Sequence, residues 1–257
     1  MALPPLSVVI ICKNAALTVE QAIYSAKMVS DDIVVVDSGS VDGTQLLVQK
    51  AGARLIETDW LGYGATKNLG NRAAKYDWIL SLDADEALSE ELADSIQAID
   101  WSDHEVVYTL KRLNYFGTQP IHFGEWRNDC VDRLFHRGVV AWDTAPVHEN
   151  LVIAHSIDIK KLRGVLHHYT ASSIEAYTKK LDHYARLMAE RYYARGKHSS
   201  VLKIYGSPVF SFLKYYLFQL GMLDKKSGWE IARAHALYTY KKYKQLKALN
   251  EGQAPTT

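Results

Sequence analysis

The sequence predicts an α/β fold, in which a mostly parallel sheet is flanked by helices and followed by a C-terminal helical extension. Three observations predict it. Short apolar runs alternate with helical stretches over the first hundred residues, irregular strand-like sequence follows, and helical spacing dominates after His168. Apolar strands that alternate with helices are typical of a parallel sheet covered on both faces. We therefore expect two domains, residues 1–168 and residues 169–257.

Four strands are expected in the first hundred residues, because each is a short run of β-branched or other apolar residues. They are Ser7–Cys12, Asp32–Asp37, Arg54–Glu57 and Trp78–Asp83. Helices are expected at about 18–29, 40–50, 66–74 and 89–98. Thr18 with Gln21 forms a capping-box pattern for the first of these helices, and Ser89 supplies an N-cap for the last.

Later segments predict less regular structure and then more helices. Val106–Leu110 and Val131–His136 are expected to be strands. The segment between them, Asn114–Asn128, is rich in glycine, proline and aromatic residues, and we expect a long loop over a site. Three C-terminal helices are predicted, from Ser172 to Gly196, from Ser207-Pro208 onward, and from Trp229 to about Ala248.

The net charge of +1 conceals an asymmetry between the two parts of the chain. Residues 1–159 carry 12 basic and 23 acidic side chains, a balance of −11, whereas residues 160–257 carry 18 and 6, a balance of +12. Eleven of the 16 tyrosines lie in the basic part. Different charge balances suggest different partners. The basic part is expected to meet an anionic membrane surface, although a solvated helical face would give the same count.

Composition excludes several classes of protein. With 48% hydrophobic and 23% charged residues, the chain is globular and not disordered. Two cysteines give neither a disulfide framework nor metal-ligand spacing, which favours a reducing compartment. No signal peptide is evident at the N-terminus, and the longest apolar-rich stretch, Val209–Leu223, is too short and polar to span a bilayer comfortably.

Acidic residues follow two of the predicted strands. Asp37 ends the second strand, and Asp83 and Asp85 follow the apolar run 78–82. Ligands bind beyond the carboxyl ends of parallel strands, where these carboxylates could hold Mg²⁺ or Mn²⁺ shared with phosphate. Asp37 could recognise a base or a ribose hydroxyl. The alternatives are acids at a helix N-terminus for Asp83 and Asp85, and a loop cap for Asp37.

Basic, histidine and acidic residues near other strand ends complete the candidate set. Lys13 follows the first strand, where it could also be an ordinary exposed lysine. Lys67 begins a helix after a glycine-containing loop, a suitable place to meet a diphosphate or a base edge. His167 is a candidate metal ligand. A single histidine at this place, His167 or its neighbour His168, could also be a phosphate partner, and more often it is structural. Glu149 is a candidate general base, or else an exposed acid.

Several motifs together resemble the family 2 glycosyltransferases of the GT-A fold. They are 7–14, 34–44 (VVVDSGSVDGT), 64–70 (GATKNLG) and 78–86 (WILSLDADE). Later motifs resemble the bacterial lipopolysaccharide core glucosyltransferases, which add a β-linked glucose to an inner-core heptose. These are 132–137 (DRLFHR), 146–151 (PVHENL), 167–170 and 207–224. The resemblance covers about residues 5–248.

This resemblance implies how a donor would be held. Asp37, together with Lys13 and Asn14, would contact the uridine of a UDP-sugar, with UDP-glucose the expected donor. Lys67 and Asn68 would help to hold the nucleotide. The predicted cofactors are therefore the nucleotide-sugar and a divalent cation, Mg²⁺ or Mn²⁺.

The resemblance also implies an inverting, metal-dependent transfer. Asp83 would lie near the ribose or the donor sugar, and Asp85 would bind the metal that bridges the diphosphate. Many family members carry the base in an acidic pair later in the chain. That pair is missing here, and the nearest candidates are Glu149 and, second, Asp143. The QxxRW motif of processive members is also absent, so transfer of a single sugar is expected.

The expected partners are a nucleotide-sugar donor, a lipid-linked saccharide acceptor and an anionic membrane surface, and no nucleic acid. The expected location is the cytoplasm, peripheral on the inner face of the membrane. Two alternatives stay open. A sugar nucleotidyltransferase would usually need a glycine-rich loop after the first strand, which 12–16 lacks. A membrane-surface scaffold would bind nucleotide without turnover.

Overall fold

The computed structural model describes residues 3–143, 150–154 and 156–252. The chain forms two compact units, one of Met1–Arg112 with Asp129–His168 and one of Leu113–Asn128 with Tyr169–Thr257. The segment 113–128, which the sequence analysis assigned to the N-terminal domain, is thus part of the second unit.

The first unit is built on four parallel strands, in the order β3-β2-β1-β4. They are β1 Leu6–Cys12, β2 Asp32–Asp37, β3 Arg54–Glu57 and β4 Trp78–Asp83. The bounds of β2, β3 and β4 match the prediction, and β1 begins one residue earlier than predicted. The predicted α/β fold is confirmed.

Four helices accompany these strands, namely α1 Val19–Ala26, α2 Thr44–Lys50, α3 Tyr63–Ala73 and α4 Glu90–Gln97. The predicted cap of α4 is confirmed, since the Ser89 hydroxyl accepts a hydrogen bond from the backbone N–H of Leu92 at 3.2 Å. Thr18 occupies the N-cap position of α1, but its side chain makes no capping hydrogen bond.

Helices cover both faces of the parallel strands. Every residue of β1 is buried. Val8 and Ile10 belong to a core cluster that includes side chains of α1, α2 and α4. Val9 and Ile11 point the other way, into a cluster packed against Leu69 and Ala73 of α3. Burial on both faces explains why the strand is continuously apolar instead of alternating.

The remaining strands make the sheet mixed. In chain order they are β5 Glu86–Leu88, β6 Val106–Phe116, β7 Gln119–Pro120, β8 Cys130–His136, β9 Ala141–Trp142, β10 Leu151–Val152, β11 Asp158–Lys161 and β12 Leu166–Ala171. The order continues from β4 through β8, β6 and β12 to β5, and β9 with β10 forms a separate two-stranded ladder. The β4–β8, β8–β6 and β12–β5 pairs are antiparallel.

The prediction of a long loop over 114–128 is wrong. β6 continues to Phe116, and β7 pairs back on it with Phe116 opposite Gln119. Gly117 takes a positive φ of 58° in the two-residue turn between them, which is what a tight hairpin requires. A short 3₁₀ helix follows at Gly124–Asn128.

The second unit contains three long helices, α5 Ile174–Ala194, α6 Val201–Leu213 and α7 Lys225–Asn250. The prediction that Ser207-Pro208 starts a helix is wrong, because α6 is capped by Ser200 and Pro208 lies inside it. At that place Pro208 has no N–H to donate to the carbonyl of Ile204. Among the described residues, no helix is long and apolar enough to cross a membrane.

Candidate active site

The strand register brings two of the predicted acids to one edge of the sheet. Asp37 ends β2 opposite Cys12 of β1, and Asp83 ends β4 opposite Ile11 of the same strand. Parallel strands present their carboxyl ends on the same side. The two carboxylates therefore end the strands that flank β1, as the sequence predicts.

The Asp37 carboxylate accepts hydrogen bonds from the loop that follows it. It accepts hydrogen bonds from the backbone N–H of Gly39 at 3.1 Å and of Ser40 at 2.9 Å, from the Ser40 hydroxyl, and from Gln45 Nε2 at 2.9 Å. Cys12 Sγ lies 3.4 Å away. Burial alone would raise the pKa of Asp37, but these donors lower it below its ordinary value. This geometry favours the loop-capping alternative.

The loop after β1 is attached to the same region. Asn14 takes a left-handed conformation, with φ of 52°. Its backbone N–H donates to the Ser40 hydroxyl at 2.7 Å, and its Oδ1 accepts from the backbone N–H of Val41 at 2.9 Å. Lys13 is exposed beside it. The predicted nucleotide residues Lys13, Asn14 and Asp37 are thus brought together by the two loops.

Lys67 and Arg133 converge on Asp83. The Nζ atom of Lys67 lies 3.3 Å from Asp83 Oδ1, and Arg133 Nη2 lies 2.6 Å from Asp83 Oδ2. Lys67 is 1% exposed and Arg133 is 5% exposed. Lys67 also lies over the Trp142 ring, 4.5 Å from its centroid. Two buried cations therefore neutralise an acid at the end of a buried strand.

The ion-pair network extends to residues that sequence reasoning missed. Arg133 Nη2 lies 3.2 Å and Arg112 Nη1 lies 3.3 Å from the same oxygen, Oε1, of the buried Glu86 carboxylate. Arg112 also forms a two-pronged pair with Asp129, at 2.9 Å for each bond. A signal was available, because an arginine inside an apolar strand rarely becomes buried without an acid partner.

This network fixes the charges of Asp83 and Arg133. Burial alone would raise the pKa of Asp83, but the charges of Arg133 and Lys67 hold that pKa well below its usual range. For Arg133 the directions are reversed. Burial alone would lower its pKa, but the carboxylates of Asp83 and Glu86 raise it. Asp83 thus stays ionised, with its carboxylate oriented by two fixed cations.

Asp85 lies beside a histidine, but not beside the predicted one. Asp85 Oδ2 is 3.6 Å from Nε2 of His168. His168 is opposite Glu86 in the β12–β5 ladder, whereas His167 is opposite Ala87. Neighbouring residues of a strand point to opposite faces, so His167 and His168 cannot both face Asp85. The histidine at this carboxylate is His168, and burial lowers the pKa of His167.

Asp85 and His168 fit a divalent cation that is shared with a substrate. No lysine or arginine pairs with Asp85 among the described residues, and its side chain is 37% exposed. No cluster of three or more potential protein ligands exists within the part of the chain that the structure describes. A cation held here would complete its shell from phosphate oxygens and water, which is usual for Mg²⁺.

Asn68, the residue after Lys67 on α3, is hydrogen-bonded to the backbone of β9. Asn68 Nδ2 donates to the backbone carbonyl of Trp142 at 2.9 Å, and Asn68 Oδ1 accepts from the Trp142 N–H at 3.2 Å. A Cβ atom at Gly64 would lie 1.8 Å from the carbonyl oxygen of Asp143, so only glycine permits this approach. Asp143, the second candidate base, is held against α3, and Glu149 lies outside the described residues.

A family comparison identifies this arrangement. The model of the glycosyl transferase family 2 matches residues 7–148, more than half of the chain. The chain belongs to glycosyl transferase family 2. It is therefore a glycosyltransferase with a GT-A-type α/β fold, and the predicted enzyme class is confirmed. Membership in this family also argues against the nucleotidyltransferase alternative.

Relatives agree with this family over most of their length. An uncharacterized glycosyltransferase of Rickettsia bellii is 30% identical over 98% of this chain and 89% of its own length. The lipopolysaccharide core biosynthesis glycosyltransferase LpsC of Rhizobium meliloti is 30% identical over 92% of this chain and 89% of its own length.

Similar solved structures are more distant. S. aureus TarS 1–349 in complex with UDP is 14% identical over 98% of this chain and 93% of that chain, with a TM-score of 0.48. A Mycobacterium tuberculosis glucosyl-3-phosphoglycerate synthase in complex with Mn²⁺, UDP and glucosyl-3-phosphoglycerate is 23% identical over 44% of each chain, with a TM-score of 0.32. Similarity at this level does not bear on the substrate.

Proposed function

We propose that this glycosyltransferase moves one sugar from a nucleotide-sugar donor, with UDP-glucose the first candidate, to a lipopolysaccharide-core or other lipid-linked saccharide. The observation that carries the proposal is the contact of Asp85 with His168 beside the Asp83 network at the carboxyl end of β4. The relative LpsC, named for lipopolysaccharide core biosynthesis, supports the class of acceptor.

Each residue of the site has a role in this proposal. Asp85 and His168 would hold the cation through one carboxylate and one imidazole, a pair that suits Mn²⁺ better than Mg²⁺ because Mg²⁺ prefers oxygen ligands. When bound, the cation offsets the charge that develops on the diphosphate leaving group. Lys67 and Arg133 keep the Asp83 carboxylate ionised and oriented towards the ribose or the donor sugar. Preorganised charges of this kind need no rearrangement during the reaction.

The donor loops have a supporting role. Asp37 shapes the loop 38–45, and Asn14 joins that loop to the end of β1. The uridine then contacts the loop, with Lys13 exposed beside it for the nucleotide phosphates. Asn68 acts through Trp142, whose backbone it holds, and not through a required contact of its own with the nucleotide.

Transfer proceeds with inversion through one in-line displacement. The acceptor hydroxyl oxygen attacks the anomeric carbon, the bond from that carbon to the diphosphate oxygen breaks, and its electron pair leaves with the diphosphate. A general base removes the hydroxyl proton. Glu149 is the first candidate for that base, and Asp143, held next to α3, is the second. Inversion follows because attack and departure occur on opposite faces.

A donor screen followed by a transfer assay tests the function. UDP-, GDP- and ADP-sugars are compared by thermal shift with and without Mn²⁺, because a ligand that binds only the native state raises the melting temperature. The best donor is then incubated with purified truncated lipopolysaccharide. We expect transfer of one sugar from a UDP-sugar. UDP binding without any transfer or hydrolysis would instead support a scaffold, and binding of none would contradict the proposal.

A further inference from the structure

The second unit carries an unusually apolar exposed surface on α6 and the wide helical turn Lys214–Phe218 that follows it. Leu202 is 80% exposed and Phe218 is 75% exposed, and Tyr205, Val209, Phe210 and Leu217 are each between 44% and 62% exposed. Leu202, Tyr205 and Val209 share one side of α6 at helical spacing. We call these six residues the α6 apolar face.

The exposed charges of the segment 196–229, which contains α6, all have one sign. Residues 196–229 contain five lysines and a single acid, Asp224. Asp224 is buried, and its carboxylate accepts hydrogen bonds from the backbone N–H groups of His122 and Phe123 at 3.2 and 2.8 Å. Lys203 and Lys214 are exposed on the segment itself. The segment therefore presents apolar side chains among cations, with no exposed acid.

The basic and tyrosine-rich helix α7 is a less suitable contact surface. Lys242 Nζ lies 4.9 Å from the ring centroid of Tyr243 and 5.1 Å from that of Tyr238. Lys241 Nζ lies 2.6 Å from the carboxylate of Asp182 on α5. These lysines and tyrosines are engaged within the unit. Lys203 and Lys214 also make contacts, with the His198 carbonyl oxygen at 2.8 Å and the Tyr215 ring at 5.1 Å, but they are exposed, whereas Lys241 and Lys242 are half-buried.

We propose that the α6 apolar face inserts into the surface of an anionic lipid bilayer. Apolar and aromatic side chains enter the region between headgroups and acyl chains, while Lys203 and Lys214 remain at the level of anionic headgroups. An identical face on a second copy would bring lysines towards lysines, which disfavours self-association. The helix lies in the interface, consistent with the finding that no described helix can span a bilayer.

Binding of the α6 apolar face to a bilayer does not require sugar transfer, although its use to the enzyme rests on the proposed function. If the proposed lipid-linked acceptor is correct, insertion of α6 brings the enzyme to the surface that holds this substrate. The bound enzyme would then diffuse to its acceptor within the plane of the membrane instead of through the surrounding solution. The two proposals fail separately, because vesicle binding is measured without donor or acceptor.

Vesicle co-sedimentation of the full chain tests the inference. Phosphatidylethanolamine vesicles are compared with vesicles that also contain phosphatidylglycerol. We expect binding that requires phosphatidylglycerol and weakens with salt. The variant Phe210→Ser/Phe218→Ser should bind at least about tenfold more weakly, since two aromatic side chains lose their burial. Lys203→Gln/Lys214→Gln should weaken binding and reduce its salt dependence.

The matched control is Val152→Ser/Ile159→Ser, which removes apolar side chains that are 62% and 60% exposed in the first unit. It should bind vesicles like the wild type, and circular dichroism checks that every variant is folded. Unchanged binding of the double phenylalanine variant would overturn the inference, as would a wild type that ignores anionic vesicles. If the wild type forms a dimer without lipid and Phe210→Ser/Phe218→Ser is monomeric, the face instead binds a second copy of the chain.

Discussion

The Nζ atom of Lys67 lies 3.3 Å from the carboxylate of Asp83, although Lys67 is among the most buried side chains of the protein. Lys67 comes from α3 and Asp83 from the end of β4, so the contact joins a helix on one face of the sheet to the edge where ligands bind. A buried lysine must be paired to remain charged. Asp83 provides that pairing, and Arg133 provides a second cation for the acid.

Removal of the Lys67 charge should impair donor binding. The variant Lys67→Met keeps an unbranched side chain one atom shorter, removes the charge, and leaves Asp83 paired with Arg133 but not with Lys67. We expect the affinity for UDP, measured by calorimetry with Mn²⁺ present, to fall at least about tenfold. Lys75→Met, which removes an exposed lysine paired with Asp31, is the matched control and should leave the affinity unchanged. Equal affinities of Lys67→Met and wild type would contradict this role.

Loss of Arg133 should cost more stability than loss of Lys67. Arg133 contacts two carboxylates, and the side chain of one of them, Glu86, is completely buried. Removing one partner of a buried pair leaves an uncompensated charge and typically costs about 3–5 kcal/mol. We expect a loss of that size for Arg133→Met in urea unfolding. A loss no larger than that of Lys67→Met would show that Arg112 alone satisfies Glu86.

The stabilising effect of Asp83 should depend on pH in a defined direction. Its folded-state pKa is lowered, so the ionised carboxylate stabilises the fold above the unfolded pKa of about 3.9. That contribution is lost as the pH falls below this value towards the folded pKa. We therefore expect the stability difference between wild type and Asp83→Asn to be constant from neutral pH down to about 5 and to shrink below about 4. A difference that grows on acidification would contradict the assignment.

A side chain at residue 64 should disturb the Asp143 segment. Because a Cβ atom there would lie 1.8 Å from the Asp143 carbonyl oxygen, α3 and the segment after β9 must separate in Gly64→Ala. We expect a loss of about 1–3 kcal/mol in the free energy of unfolding and a fall in the rate of transfer. The control Gly206→Ala meets only the flexible Leu202 side chain. Normal stability of Gly64→Ala would show that this approach is not required.

The parallel part of the fold was predictable because its signals are local. The runs 32–37, 54–57 and 78–83 are apolar and short, and their bounds were predicted correctly. The hairpin at Gly117 was missed, because a segment rich in glycine and proline suggests a loop. The interior position of Pro208 was also missed, because proline is common at the start of a helix. Gly117 instead serves the tight turn of a hairpin, and α6 continues through Pro208 although that residue lacks an N–H.

The candidate site was predictable only in part, for a related reason. The acids at strand ends follow from strand direction, so Asp37 and Asp83 were found at the correct edge. The arginines of the ion-pair network, in contrast, lie on antiparallel strands far along the chain. Arg133 and Arg112 come from β8 and β6, whose pairing with β4 and with each other no short pattern encodes. The choice between His167 and His168 depends on the register of β12, and one residue reverses the face.

Calorimetry of UDP binding with and without Mn²⁺, in the wild type and four variants, tests the proposed cation site most directly. Asp85→Asn and His168→Gln should lose the enhancement that Mn²⁺ gives to the wild type. His167→Gln, the matched control one residue away, should keep it, as should Asp103→Asn, which alters an exposed acid elsewhere. A cation-dependent affinity that survives in Asp85→Asn, or that is lost in His167→Gln and kept in His168→Gln, would contradict the proposed cation site.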